Sequence, residues 1–155
     1  MIKNKSLQRI SLFSLKEPLR VSELILSHLS FLNIDYPNFN NWYNKKVLPG
    51  VRLKQREVIV YIINGRLAGV CILKNDNQEK KISTIRVLPE FRHCGLGSTI
   101  FQDAFAWLGT EKPVATVSES RYPEFEKLMK KYNFKLSDKN NLYMRNNNNE
   151  LCFNF

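Results

Sequence analysis

Apolar residues change their spacing along this chain in a way that marks out strands and helices in turn. Residues 9–15 carry Ile10, Leu12, Phe13 and Leu15 in partial alternation, which predicts a first strand. Pro18 suits a helix start, and Val21, Leu24, Ile25, Leu29 and Leu32 recur at helical spacing, predicting an amphipathic helix over 18–33. His28 lies on its apolar face and is expected to be a packed boundary residue. Residues 35–38 make a turn. Residues 39–48 form a second short helix bearing Trp42 and Tyr43, ended by Pro49 and Gly50. Two β-rich runs, 57–63 and 67–74, flank Asn64-Gly65-Arg66, and Asn-Gly supplies the positive φ angles of a tight hairpin. A further turn at 75–77 leads into a strand over 81–88.

After Pro89 the period becomes helical. Leu96, Ile100, Phe101, Ala104, Phe105 and Leu108 share one face, and Gly109 is placed to close the helix in a left-handed conformation. Residues 113–118 are a short strand. Phe125, Leu128, Met129 and Tyr132 mark another helix, with Asn133 as its left-handed cap. A strand begins at 134–136, a loop covers the asparagine run 146–149, and 150–155 (ELCFNF) alternates as a final strand. The strand over 81–88, the helix over 96–108 and the strand over 113–118 make a parallel crossover. The fold class is therefore α/β: a single domain over 1–155 with one mixed, mostly antiparallel sheet and flanking helices.

Composition narrows the function. The chain has 155 residues, 43% of them hydrophobic, which suits one domain with a real core and excludes a disordered class. The longest apolar run, 58–63, is far short of the ~20 residues of a membrane span, and no apolar leader follows Lys3 and Lys5. Three dispersed cysteines, with no CxxC pair and only two histidines, predict neither a metal site nor a disulfide framework. They suit a reducing, cytoplasmic setting. Lys plus Arg outnumber Asp plus Glu by 24 to 14, a net charge of +10 that favours anionic partners and disfavours polyamines or aminoglycosides. Lys45, Lys46, Arg52, Lys54 and Arg56 form one basic cluster, and Lys127, Lys130 and Lys131 another. No helix-turn-helix, zinc-finger or RNA-binding motif accompanies them.

The segment that carries chemistry lies between the strand ending at Leu88 and the helix opening near Gly97. Arg92, His93, Cys94, Gly95, Leu96 and Gly97 form a glycine-bearing loop at a strand–helix junction. Exposed backbone N–H groups and the positive end of the helix dipole favour a phosphate or pyrophosphate there. Gly95 and Gly97 are expected to let a ligand approach the main chain, Arg92 and His93 add polar groups, and Ser98 offers a hydroxyl. The loop lacks the GK[ST] ending of a P-loop and the third glycine of a dinucleotide fingerprint.

The stretch IRVLPEFRHCGLG, residues 85–97, resembles the acetyl-CoA signature of the GCN5-related N-acetyltransferases (GNAT): an apolar strand end, a proline, and Arg/Gln-x-x-Gly-x-Gly/Ala opening a helix. LAGV at 67–70 and LMKKYNF at 128–134 are similar to the elements before and after that signature. The resemblance covers residues 57–136, and it implies a splayed central parallel strand pair with acetyl-CoA as co-substrate. Ile85, Arg86 and Val87 would pair with the pantetheine arm, and residues 92–98 would hold the pyrophosphate. A backbone N–H near Val87 would polarise the thioester, and a primary amine would attack directly in a ternary complex.

The family's usual tyrosine, four residues before the Gly-Phe element, is Met129 here. Tyr132 and Tyr122 are the nearby tyrosines, and Asn133 replaces the glycine. Tyr132 is thus the candidate proton donor, with core packing its competing role, and Glu119 the candidate proton relay from the amine. An acyl-cysteine at Cys94 is not needed by this chemistry. The acceptor amine is open: aminoacyl-tRNA, another anionic partner or a protein are the candidates. An acyl-carrier-protein donor, or a relative that binds coenzyme A without turnover, are the alternatives. The ELCFNF strand is a candidate for pairing across a homodimer.

Overall fold

The computed structural model describes residues 6–12, 15, 18–33, 38–140 and 150–155. In chain order the elements are β1 (Leu7–Ser11), α1 (Pro18–Leu29), α2 (Phe39–Trp42), α3 (Leu48–Arg52), β2 (Arg56–Ile63), β3 (Arg66–Asn75), β4 (Lys80–Val87), α4 (Leu96–Leu108), β5 (Val114–Ser118), α5 (Tyr122–Lys131), β6 (Leu136–Asn140) and β7 (Glu150–Phe153). The seven strands form one sheet in the order β1-β2-β3-β4-β5-β7-β6. Every neighbouring pair is antiparallel except β4–β5, which is parallel and bridged by α4. This is the expected mixed sheet with its crossover. The expected turn at 35–38 and loop at 146–149 fall almost wholly outside the described residues.

The central strands are apolar on both faces because helices cover both faces. On one side α4 and α5 close a core that includes Tyr61, Leu73, Ile82, Ile100, Phe101 and Leu108. On the other side α1 to α3 close a second core around Ile25, Leu29, Tyr43, Val58 and Ile72. Asn64 (φ 51°) and Gly65 (φ 75°) make the expected left-handed hairpin turn, and Gly109 (φ 68°) and Asn133 (φ 58°) cap α4 and α5 as expected. A Cβ on Gly69 would lie 3.2 Å from Leu96 Cδ2 and 3.0 Å from the Arg86 carbonyl oxygen, so its absence lets α4 press onto β3.

Three expectations change. The first strand is Leu7–Ser11 rather than 9–15, because Leu12 leaves the ladder to bury itself in the α1–α3 core. Pro49 and Gly50 do not end the helix that starts at Phe39. It runs on through a π-helical turn, Tyr43–Val47, into α3. Pro49 lacks the N–H that would bond the Lys45 carbonyl, which widens the helix at that turn without breaking it. The wide turn also keeps Phe39, Tyr43, Val47 and Val51 buried on one side. Residues four apart would otherwise drift about 40° per step around a regular α-helix. Finally, β7, which holds most of ELCFNF, lies between β5 and β6 with both edges paired. Its edge is not open to a second copy, and the sheet ends at β1 and β6.

Candidate active site

The β4–β5 ladder is short. Only Lys81↔Val114 and Ile82↔Ala115 pair. At the next residue, Ser83, β4 bulges: Ile82 opposes Leu73 and Thr84 opposes Ile72, so Ser83 is extra. A bulge bends its strand and raises its twist. β4 turns away from β5 here, and from Ser83 onward its β5-facing edge has no strand partner. The expected splay is thus produced by one inserted residue.

A cavity of about 580 Å³ fills the gap. Its walls are Ser83, Thr84 and Ile85 of β4 and Thr116, Val117 and Ser118 of β5. Phe101, Phe125 and Met129 cover it from the α4–α5 side. Phe39, Trp42, Lys45 and Lys46 face it from α2 and the π-helical turn, and Arg56, Lys74, Glu79 and Lys81 line it from β2 to β4. Glu150, 1% exposed and opposite Ser118 in the ladder, lines it from β7.

The glycine loop stands at the C-terminal end of β4. His93 (φ 62°) and Gly95 (φ 87°) are both left-handed, which turns the chain sharply into α4. Gly95 is the N-cap and offers no side-chain cap, and the first α4 bond is from Thr99 N–H to the Gly95 carbonyl at 3.2 Å. The N–H groups of Leu96, Gly97 and Ser98 therefore point out of the helix start, as an anion site requires. Arg92 Nε donates to the Val87 carbonyl at 3.3 Å, and its guanidinium lies 3.7 Å from Glu124, which Arg121 also approaches at 3.7 Å. Burial pulls the Arg86 guanidinium below its ordinary pKa. Arg121 and Arg92 add to that pull, and Glu124 opposes it. The half-buried Cys94 donates its S–H to the Phe91 carbonyl at 2.7 Å.

Alternation along β4 puts Ile85 and Val87 toward α4, where both pack on the first core, and Thr84 and Arg86 toward the opposite face. Gly97 also has a packing purpose. A Cβ there would lie 2.6 Å from Leu128 Cδ1, so this glycine admits α5 against α4.

Tyr132 and Glu119 are not brought to the cavity. Tyr132 stacks on Phe101 (centroids 5.6 Å, 9° between planes) and meets Phe105 edge-on at 5.2 Å. Its hydroxyl is 2.5 Å from Ser98 Oγ, which also accepts from Lys131 Nζ at 2.9 Å. Tyr132 thus ties the end of α5 to the first turn of α4. Met129, 3% exposed, takes the cavity-facing place. Glu119 sits exposed on the turn after β5, outside the cavity lining. The carboxylate in the cavity near that end of β5 is Glu150, which sequence reasoning passed over. Only the pairing of β7 with β5 brings it there, and no local pattern announces that pairing. Among the described residues no group of three or more His, Cys, Asp or Glu is arranged to hold a metal ion, and no helix is long and apolar enough to cross a membrane.

A mixed sheet that parts at a bulge, with a glycine loop and a helix start following the bulged strand, is the architecture the acetyl-CoA signature implies, and it defines an acetyltransferase fold. The model of the Acetyltransferase (GNAT) family matches residues 23–135, and the chain belongs to that family. Naa50 of Arabidopsis thaliana, solved with the bisubstrate analogue CoA-Ac-MVNAL, is similar in structure with a TM-score of 0.67 and 17% identity, covering 96% of this chain and 97% of that one. The structure of yncA, a putative acetyltransferase from Salmonella typhimurium with acetyl-CoA, gives a TM-score of 0.60 and 15% identity, covering 96% and 92%. A nourseothricin acetyltransferase matches with a TM-score of 0.57 and 19% identity over 64% of each chain. No curated protein matches the sequence.

Proposed function

We propose that this protein is an N-acetyltransferase that moves an acetyl group from acetyl-CoA to a primary amine by direct attack in a ternary complex. The observation that carries the reading is the cavity between the parted strands, with a buried carboxylate, Glu150, in its wall, together with the uncapped α4 start that follows the bulged strand β4. The site fits the co-substrate: uncapped N–H groups of Leu96 to Ser98 suit a pyrophosphate, and the unpaired edge of β4 suits an amide-bearing arm lying beside it.

Acetyl-CoA supplies a thioester: the amine nitrogen forms a bond to its carbonyl carbon, the carbon–sulfur bond breaks, and the thiolate leaves. This chain does four things around that exchange. The loop and α4 start hold the phosphates, with Arg92 and Ser98 beside them. The edge at Ile85 to Val87 orients the arm, and the Val87 N–H stabilises charge on the carbonyl oxygen. Glu150 takes the proton that the attacking ammonium must lose. The leaving thiolate needs no strong acid, because a thiol pKa near 8.5 makes it stable enough to collect a proton from solvent. Met129 is therefore compatible with turnover. Tyr132 serves by fixing the helix start through Ser98.

The test is release of coenzyme A thiol from acetyl-CoA in the presence of a broad amine panel, with product mass checked. The reading expects amine-dependent thiol release and a mass gain of one acetyl group. Thiol release with no amine, or none with any amine, rejects it. The net charge of +10 supports a second reading in which the amine belongs to aminoacyl-tRNA. Affinity for tRNA that falls steeply with added salt would favour that reading.

A further inference from the structure

We infer that the acceptor is a small primary amine that also carries a phosphate group, seated on a row of cations formed by Arg56, Lys74 and Lys81. The inference rests on the acetyltransferase reading above and names the acceptor class for the same cavity.

Arg56 lies directly opposite Lys74, and Lys74 directly opposite Lys81. Three cations therefore cross three neighbouring strands in one line, with Cβ atoms of facing residues roughly 5 Å apart, an arrangement that repels itself. The row shares its face with Val58 and Ile72, the face that α1 to α3 cover. Lys74 is compensated closely, with Glu79 3.0 Å and Asp76 3.2 Å from its Nζ, and the same two carboxylates act on Arg56 without an ion-pair contact. Lys81 makes no ion pair with a described residue, nor do Lys45 and Lys46, which the π-helical turn brings to the same cavity.

Arg56 is built into place. Its stem lies over Gly50, where a Cβ would sit 2.7 Å from Arg56 Cδ, and its guanidinium is 5.5 Å from the Trp42 ring centroid. Its Nη1 is buried and has no hydrogen-bond partner among the described residues. A buried donor left in that state is costly unless a ligand completes it. Like charges in one row, a buried guanidinium nitrogen without a hydrogen-bond partner and a widened helix turn beside one cavity together suit an anion with several acceptor oxygens.

Position selects its size. Arg56, Lys74 and Lys81 are half-buried inside a cavity rather than spread on an outer face, which suits a small molecule better than a nucleic-acid backbone. Lys81 pairs with Val114 at the start of β5, and Glu150 with Ser118 at its end. Those levels are roughly 13 Å apart at the usual rise per residue, less the reach of the side chains. An amine near Glu150 and a phosphate on the row are thus joined by a sugar- or ring-sized body.

Matched amines test this: glucosamine against glucosamine 6-phosphate, and pyridoxamine against pyridoxamine 5′-phosphate. Acetyl-CoA binding is measured separately by titration. The expected result is a kcat/KM about tenfold or more higher for each phosphorylated partner. That preference should fall in Lys81→Gln and in the exposed pair Lys45→Gln/Lys46→Gln, while acetyl-CoA affinity stays unchanged. Equal rates within each pair, or acetylation of aminoacyl-tRNA with no small phosphorylated amine accepted, overturns the inference and leaves the acetyltransferase reading standing. Absence of acetyl-CoA binding removes both.

Discussion

On the proposed donor side, one continuous stretch, residues 85–98, holds strand edge, loop and helix start. On the proposed acceptor side, Trp42, Lys45 and Lys46 come from a helix, Arg56, Lys74 and Lys81 from three strands, and Glu150 from the far side of the sheet. The donor end is local, so its chemistry is written in consecutive residues. The acceptor end exists only after the sheet has assembled. One fold can thus keep a fixed donor grip while its acceptor surface changes residue by residue.

The sharpest way to break that division is at the acceptor end. Glu150→Gln keeps size and hydrogen-bonding capacity but removes the base. Steady-state kinetics should show kcat lowered by about 10²-fold or more, with acetyl-CoA affinity unchanged. A kcat within twofold of the parent would return the proton-relay role to another group, Glu119 first. A second substitution probes the donor end through packing. Gly97→Val forces a branched side chain into the space of Leu128 and should lower unfolding free energy by about 1–3 kcal/mol in denaturant titration, weakening acetyl-CoA binding with it. Unchanged stability would show that α4 and α5 can part without cost.

Tyr132→Phe distinguishes the two roles considered for that residue. It preserves the stack on Phe101 and removes only the hydroxyl on Ser98. A positioning role predicts about 1 kcal/mol less stability and kcat within a few-fold. A drop of 10²-fold with stability intact would make it the proton donor instead. The smallest effect expected is a labelling rate. Burial pushes the Cys71 thiol well above its ordinary pKa, Cys152 is also buried, and Cys94 is half-buried in the loop. Cys94 should therefore alkylate first at neutral pH, and acetyl-CoA should slow it several-fold, read by peptide mass spectrometry. Equal labelling with and without acetyl-CoA would place the ligand elsewhere.

Much of the frame was legible because it rests on local chemistry. Asn64-Gly65, Gly109 and Asn133 each adopt the left-handed conformation their residue types favour. The crossover from β4 through α4 to β5 follows from a change of apolar period. What was illegible depends on partners distant in sequence. That Gly97 admits α5 shows only once Leu128 is beside it, and Pro49 looks like a stop until burial of Val47 and Val51 holds the helix on both sides of it. Ser83 is an ordinary strand residue until the register with β3 makes it a bulge. Glu150 next to an unpatterned asparagine run carries no motif, and only the insertion of β7 between β5 and β6 turns it into the cavity.

The most direct test of the central claim, that the α4 start and the parted strands hold acetyl-CoA, is a thermal-unfolding titration of the parent and of Gly95→Glu. Glutamate at this left-handed position places a carboxylate where the phosphates would lie. Acetyl-CoA at about 100 times its dissociation constant should stabilise the parent by roughly 2.7 kcal/mol, a shift of several degrees, and leave Gly95→Glu unmoved. No shift in the parent, or an equal shift in both, would contradict the account.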